Sequence, residues 1–191
     1  NKVIVFSTDS EKKLLATYPN LHNVELQAHS LDYFQPIHFY TATTKSGDQA
    51  VLTIGILGPV TLKKGEQALL ALHAYLLRQN INWQIVIIGQ ASSQIQALQR
   101  VKVTGRYEIK SLDKLCEKAN IDVFFFTSLC PETFSFSVSE IIAMKYPLLC
   151  FDLGAQADKV ATYENGAVVD PEASAEHVFL ALKRLAKLDT K

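Results

Sequence analysis

Short apolar runs alternate with stretches of helical periodicity along most of the chain. The runs are almost continuously apolar, which is typical of strands buried on both faces of a sheet. They predict strands at residues 3–6, 24–28, 51–57, 84–88, 101–103, 121–126, 148–151 and 167–169, and helices at about 8–18, 66–79, 92–99, 111–119, 136–146, 155–163 and 173–188. This repeated strand–helix–strand order predicts an α/β fold with a doubly wound, mostly parallel, Rossmann-like sheet.

The alternation is interrupted between His29 and Asp48, where polar residues, aromatics, Pro36 and the turn Lys45-Ser-Gly-Asp48 predominate. This composition is typical of a connecting segment. We therefore divide the chain into residues 1–47, the end of one domain plus a linker, and residues 48–191, a second domain. The chain opens with Asn1 and its single methionine is Met144, so we expect it to be a piece of a longer protein.

Charge and composition narrow the functional classes. Lys plus Arg and Asp plus Glu both number 19, so the net charge is zero and provides no basic surface for nucleic acid. No apolar run approaches the roughly 20 residues of a membrane span. The three cysteines fall in or beside predicted core elements, and the five histidines are scattered. We expect reduced cysteines, no metal site and a cytoplasmic location.

Two carboxylates follow the apolar run at residues 121–126. Glu132 lies in the loop Pro131-Glu-Thr-Phe134, and Glu140 lies on the helix after it. The carboxyl end of a parallel strand is where an α/β sheet opens its ligand crevice, and carboxylates accept hydrogen bonds from sugar hydroxyls. For Glu140 the alternative is a capping box with Ser137. A glycosidase-type acid/base pair would depend on a separation that the sequence does not give.

A second candidate site is the segment Gly58-Pro-Val-Thr-Leu-Lys-Lys-Gly65, between a predicted strand and helix. Glycine allows a ligand to approach the backbone closely, and the free N–H groups of the helix start, together with Lys63 or Lys64, suit a phosphate. The alternative is an ordinary turn with solvated lysines. The spacing matches neither a P-loop nor a dinucleotide fingerprint.

Two further turns follow predicted strands. Gly105 could allow a flat base to lie against the backbone, beside Arg106 or Tyr107; the alternative is a plain connection. In Phe151-Asp-Leu-Gly-Ala155, the small residues at the helix start could face the same crevice, or Asp152 or Asp158 could simply cap that helix. No GxSxG elbow supports a serine hydrolase.

Taken in order, these motifs resemble one family. Gly58…Lys64-Gly65, Pro131-Glu-Thr-Phe134…Glu140 and Asp152-Leu-Gly154 are similar to the C-terminal, donor-binding domain of retaining GT-B "group 1" glycosyltransferases, which synthesise bacterial surface polysaccharides. The resemblance covers about residues 51–170. Residues 1–30 resemble the last strand–helix–strand of the acceptor-side domain that precedes it.

The resemblance implies transfer of a hexosyl-type sugar, with retention, from a nucleotide diphosphate donor to a glycan or lipid-linked glycan, without metal or cofactor. It implies Glu132 as the catalytic residue beside the reacting carbon and Glu140 at the ribose hydroxyls. The other implied donor-binding residues are Gly58, Lys64 and Gly65 at the diphosphate, Gly105, Arg106 and Tyr107 at the base, and Thr133, Phe134 and Ser135 at the leaving phosphate.

The same resemblance implies a bacterial cytoplasmic enzyme, acting at the inner face of the membrane through the full-length protein. We expect this chain alone to be inactive, because the acceptor-side domain that closes over the donor is largely absent from it.

The sequence departs from the family at several positions. Pro59 follows Gly58 where an arginine is usual, so one diphosphate cation is missing, and Lys63 or Arg106 could substitute. Other departures are Ser135 and Lys145 in place of glycines and Gly154-Ala155 in place of a glycine pair. The departures at Pro59 and Lys145 motivate one alternative, a degenerate, non-catalytic domain. A second alternative is a different enzyme on the same architecture, a nucleotide-sugar epimerase.

Overall fold

The structure is a computed structural model that describes residues 2–42, 51–79 and 81–187. Its strands are β1 (Val3–Val5), β2 (Val24–Leu26), β3 (Leu52–Leu57), β4 (Trp83–Ile88), β5 (Val101–Val103), β6 (Val123–Phe126), β7 (Leu148–Phe151) and β8 (Gly166–Val169). Its α-helices are α1 (Thr8–Thr17), α2 (Glu66–Leu76), α3 (Ser93–Gln96), α4 (Leu112–Lys118), α5 (Phe136–Ala143), α6 (Gly154–Ala161) and α7 (Ala175–Leu185). Every predicted strand and helix is present, but the helices are shorter than predicted, most markedly the one predicted over 92–99.

Six strands form one sheet in the order β5-β4-β3-β6-β7-β8. All its neighbouring strands are parallel, and the chain leaves the centre in opposite directions from β3 and β6. This is the strand order of a doubly wound sheet with its switch point between those two strands. β1 and β2 form a separate parallel pair, joined by α1. The predicted α/β, Rossmann-like fold is confirmed.

The strands are apolar throughout because helices cover both faces of the sheet. Alternate residues of a strand point to opposite faces. Ile85 and Ile87 of β4 pack in the cluster that includes α2 and α7, whereas Val86 and Ile88 pack in the cluster that includes α4, α5 and α6. With two apolar faces fixed in this way, a register slip of one residue would exchange the two layers.

The described part of the predicted linker is anchored to the second domain. Phe34 is only 6% exposed and packs in the core cluster of α4 and α5. The buried carboxylate of Asp113 accepts the backbone N–H groups of Ile37 and His38 at 2.8 and 3.0 Å. The proposed boundary at 47/48 and the turn at 45–48 lie outside the described residues, so that division stays a prediction.

The cysteines are all free: Cys116 and Cys150 are buried in the core, and Cys130 is exposed. Within the described ranges, no helix is both long and apolar enough to span a bilayer. The same residues contain no group of three or more His, Cys, Asp or Glu side chains arranged to hold a metal ion.

Candidate functional site

The reversal of strand order leaves a crevice beyond the carboxyl ends of β3 and β6, where ligands bind in open α/β sheets. A small pocket lies there, lined among others by Gly58 and Pro59 after β3, Thr127 and Ser128 after β6, and Lys64. Its volume is about 30 Å³, far below the roughly 300 Å³ or more of typical small-molecule sites. It is therefore too small to hold a typical small-molecule ligand by itself.

Gly65 holds the segment after β3 against the end of β6. Its φ is +82°, and a Cβ there would lie 1.9 Å from the carbonyl oxygen of Thr127. The Thr127 hydroxyl donates to the carbonyl of Lys64 at 2.9 Å. Only glycine allows the two backbones to approach this closely, and the contact fixes where the Lys64 side chain starts.

Lys64 and Glu132, which are 68 residues apart, form an ion pair at this crevice. The Lys64 side chain is 45% exposed and that of Glu132 is 18% exposed. A partly solvated pair of this kind contributes about 0–1 kcal/mol to stability. Both charges are therefore available to a ligand at little cost to the fold.

Helix α6 fixes the backbone of Glu132. The Ala155 N–H donates to the Glu132 carbonyl at 2.9 Å, and the Glu132 N–H donates to Gln156 Oε1 at 3.0 Å. A Cβ on Gly154, whose φ is +59°, would lie 2.8 Å from the Glu132 nitrogen. The helix start is thus occupied by the loop, and the interpretation that Asp152 or Asp158 caps α6 is wrong.

The start of α5 is strained and uncapped. Ser135, its N-cap residue, has φ +62°, a left-handed conformation in which glycine is the usual residue. No side chain of the described residues caps this helix, and the buried Ser135 hydroxyl has no hydrogen-bond partner among them. Thr133 is exposed and Phe134 is buried. Free N–H groups at a helix start favour an anion.

Glu140 is 6% exposed, and the Tyr33 hydroxyl donates to its Oε1 at 2.9 Å. No other donor from the described residues reaches this carboxylate. Because α5 begins at Phe136, Ser137 lies inside the helix, so the predicted capping box between Ser137 and Glu140 is wrong. Burial raises the pKa of Glu140, and the Tyr33 hydrogen bond acts against that rise.

We expect Tyr33→Phe to lower the stability by about 1 kcal/mol near pH 7, because a buried carboxylate loses its donor. The pKa of Glu140 is higher in the folded protein than in the unfolded one. This group therefore stabilises the fold below its unfolded pKa of about 4.3, and that stabilisation is lost as the pH rises through the folded pKa. Loss of the donor raises the folded pKa further, so the defect shrinks as the pH falls. Urea unfolding at pH 7.5 and pH 5 measures this change in the free energy of unfolding.

Tyr18→Phe, at a tyrosine that is 61% exposed, is the control. A loss of stability in Tyr33→Phe that does not depend on pH would contradict this account.

The turn after β5 presents an open backbone surface. Gly105 has φ +78°, and a Cβ there would contact nothing within 4 Å. Arg106 is exposed. Burial, followed by the charge of Glu140, raises the pKa of Tyr107 to about 12. Tyr107 packs against the core cluster that includes Val138 and Ile141 of α5, so this turn lies beside the helix that carries Glu140.

Sequence reasoning missed Lys159, on α6. Its Nζ lies 3.1 Å from the centre of the Phe134 ring and donates to the Ser139 hydroxyl at 2.5 Å and the Ser135 carbonyl at 3.4 Å. Burial lowers its pKa to about 8, and the charge of Glu132 acts in the opposite direction. Its only sequence signal is a lysine one turn into the helix that follows Gly154.

The N-terminal unit of β1, α1 and β2 packs on the same loop. The rings of Phe6 and His29 stack at 4.0 Å, and the edge of His29 meets Phe134 at 4.9 Å. The Asp158 carboxylate accepts the Asp9 N–H of α1 at 2.9 Å. These contacts place the unit against the start of α5 and one face of α6.

The strand order and the crevice at its reversal define a doubly wound, Rossmann-like α/β domain with its ligand crevice at the switch point. The chain belongs to the family "Glycosyl transferases group 1", whose sequence profile matches residues 42–191. A comparison with curated protein sequences found no match.

Solved glycosyltransferase structures share the fold. The lipopolysaccharide outer core galactosyltransferase WaaB, in its apo form, is 16% identical with a TM-score of 0.76, over 100% of this chain and 54% of that one. A mutant of TarM from S. aureus, in complex with fondaparinux, alpha-GlcNAc-glycerol and UDP, is 17% identical with a TM-score of 0.70, over 98% and 37%. HepE from Anabaena with UDP-glucose is 18% identical with a TM-score of 0.69, over 94% and 52%. The chain therefore spans about half of these proteins or less.

Proposed function

We propose that this chain is the donor-binding part of a retaining glycosyltransferase that moves a hexosyl group from a nucleotide diphosphate to a glycan. The observation that carries the proposal is the Lys64–Glu132 ion pair at the switch point of the sheet. It sets a cation suited to phosphate beside a carboxylate suited to sugar hydroxyls, in the crevice where such folds bind ligands.

The roles proposed for individual residues are those that the resemblance to the family implies. Lys64 binds the diphosphate, with the close backbone turns at Gly58 and Gly65. Glu132 binds sugar hydroxyls beside the reacting carbon and is the proposed catalytic residue. The remaining donor contacts are Glu140 at the ribose, Gly105, Arg106 and Tyr107 at the base, and the Thr133, Phe134 and Ser135 backbone at the leaving phosphate.

The proposed reaction breaks the bond between the anomeric carbon and the diphosphate oxygen, so negative charge grows on the leaving phosphate. The uncapped start of α5 and Lys64 oppose that charge with groups already in place before reaction, which is how preorganised sites stabilise transition states. In this proposal these positive groups stabilise the charge on the leaving phosphate, a role that a bound metal has in other reactions with a phosphate leaving group. No cofactor is therefore assigned.

The complete protein is proposed to act in bacterial polysaccharide synthesis, in the cytoplasm at the inner face of the membrane. WaaB, named for lipopolysaccharide outer core, and HepE, crystallised with UDP-glucose, are the supporting likenesses. The acceptor is proposed to bind an acceptor-side domain, with this chain alone inactive. A degenerate, non-catalytic domain is the second candidate, favoured by Pro59 in the pocket wall.

Titration calorimetry with UDP, GDP, dTDP and their sugars tests the donor role. At least one nucleotide is expected to bind the wild type, and its matching sugar to bind more tightly. In Glu132→Gln the gain from the sugar is expected to fall roughly tenfold, because hydrogen bonds to a charged group are worth about 1.5–3 kcal/mol. Binding of the sugar-free nucleotide is expected to be retained or tightened, since Lys64 loses a competing partner.

Thr133→Ala, an exposed neighbour of Glu132 that contributes through its backbone, serves as the matched control for loop disturbance. An unchanged sugar gain in Glu132→Gln would reject Glu132 as the sugar-binding residue. No binding of any nucleotide to the wild type would favour the non-catalytic alternative.

A further inference from the structure

Lys159 is a half-buried charge beside the crevice that the roles above leave unused. Its ammonium contacts the Phe134 ring, the Ser135 carbonyl and the Ser139 hydroxyl, so it reaches both sides of the turn that starts α5. Lys159 lies in the last turn of its own helix α6, where a cation is favoured, but also against the start of α5, where a cation is not.

Lys64 is paired with Glu132. Lys159, by contrast, forms no salt bridge with the described residues and lies against the positive end of α5. The buried Ser135 hydroxyl, which has no partner within the described ranges, is a second, independent sign that a polar group is missing there. A dianionic phosphate would satisfy all three.

We infer that Lys159 is a positioning residue for a nucleoside diphosphate. It supports the Phe134–Ser135 turn from the side opposite the ligand, and it supplies a positive charge that the uncharged Pro59 does not. The inference rests on the proposed function. The phosphate is bound by the backbone N–H groups at the start of α5, and the charge of Lys159 strengthens that binding across the turn. Neither Lys63 nor Arg106, the substitutes considered from the sequence, makes a comparable contact with this loop among the described residues.

The proposed role of Lys159 predicts that nucleotide affinity falls as the pH rises. Burial lowers the pKa of Lys159 to about 8 in the empty protein, so its charge is largely present at pH 7 and largely absent at pH 9. The charged groups on the elements around it are Glu132 on the loop, Asp158 on its own helix, Asp9 on α1, Glu140 on α5, and Lys64 across Glu132. Asp158 is already engaged by the Asp9 N–H, and Glu132 by Lys64.

The test measures Kd for UDP, GDP and dTDP, titrated separately, at pH 7 and pH 9 in wild type, Lys159→Met and Lys159→Arg. Wild-type affinity is expected to be roughly tenfold lower at pH 9 than at pH 7. At pH 9, Lys159, with a pKa of about 8, must take up a proton before its charge can favour binding. Lys159→Met is expected to bind roughly tenfold more weakly at pH 7 and to match the wild type at pH 9. Lys159→Arg keeps its charge and is expected to stay tight at both pH values.

Comparing proteins at the same pH cancels the titration of the nucleotide itself and of every other group. Thermal melting of each variant checks that it is folded. A Lys159→Met to wild-type Kd ratio that is the same at pH 7 and pH 9 would mean a structural brace alone and would overturn the inference. A Lys159→Arg variant as weak as Lys159→Met at pH 7 would also overturn it. Failure of the wild type and Lys159→Arg to bind any of the three nucleotides would instead contradict the proposed function.

Discussion

Gly65→Ala is expected to destabilise the protein by about 4 kcal/mol or more, a loss reached only by the most disruptive single substitutions. The new methyl group would lie 1.9 Å from the Thr127 carbonyl oxygen. This is a backbone atom, so the clash cannot be relieved by rotating a side chain. Moving it would also break the hydrogen bond from the Thr127 hydroxyl to Lys64. The left-handed φ of +82° adds about 1–2 kcal/mol of its own.

Gly105→Ala is the matched control, because Gly105 has a similar φ of +78° but nothing within 4 Å of the new methyl group. It should cost only the left-handed strain, about 1–2 kcal/mol. Urea unfolding of the two variants separates steric clash from backbone strain. Equal losses in the two variants would show that the contact between the Gly65 segment and β6 is not a tight one in solution.

Lys64→Ala is expected to weaken nucleoside diphosphate binding about thirtyfold. One charge-assisted hydrogen bond to phosphate is worth about 1.5–3 kcal/mol, and each 1.4 kcal/mol is about tenfold in Kd. The substitution also leaves Glu132 without its cation, so an unbalanced carboxylate would face the phosphate. The loss should be smaller at high salt, because the lysine is partly solvated and its charge is screened.

Lys63→Ala is the control for this change. Lys63 is exposed on the same 3₁₀ turn, so its removal alters the net charge equally but leaves the ion pair intact. Calorimetric titration of both variants at low and moderate salt gives the comparison. If Lys63→Ala weakened binding as much as Lys64→Ala, the effect would be general electrostatic attraction and not a contact made by Lys64.

The sheet could be predicted from the sequence because its strands carry their own signal. A run such as Val123–Phe126 is apolar at every position because both faces of the sheet are covered, and a short apolar run between turn signals favours a strand over a helix. Element ends were less predictable. The helix expected over 92–99 is a single turn, Ser93–Gln96, because Ser92 caps its start and the chain must reach β5 within a few residues.

The candidate site residues were chosen from motifs that follow strands, and their roles stay a prediction, whereas contacts that depend on tertiary packing were missed. The Ser137–Glu140 spacing fits a capping box, yet the left-handed Ser135 starts α5 earlier and leaves Glu140 for Tyr33, which is 107 residues away. The contacts of Lys159 could not be predicted because its partners lie on a loop and a helix that are distant in sequence. The role of Asp113 in anchoring the linker was equally beyond a local pattern.

Nearby residues of helix α6 contact different parts of the protein. Ala155 and Gln156 hold the backbone of Glu132, Asp158 holds α1, and Lys159 holds the start of α5. Ala155, Asp158 and Lys159 are three and four residues apart and lie on one side of this helix, so the helix cannot shift at one of these attachments without disturbing the others. A displacement of the N-terminal unit would therefore be transmitted mechanically, through eight residues, to the carboxylate at the crevice.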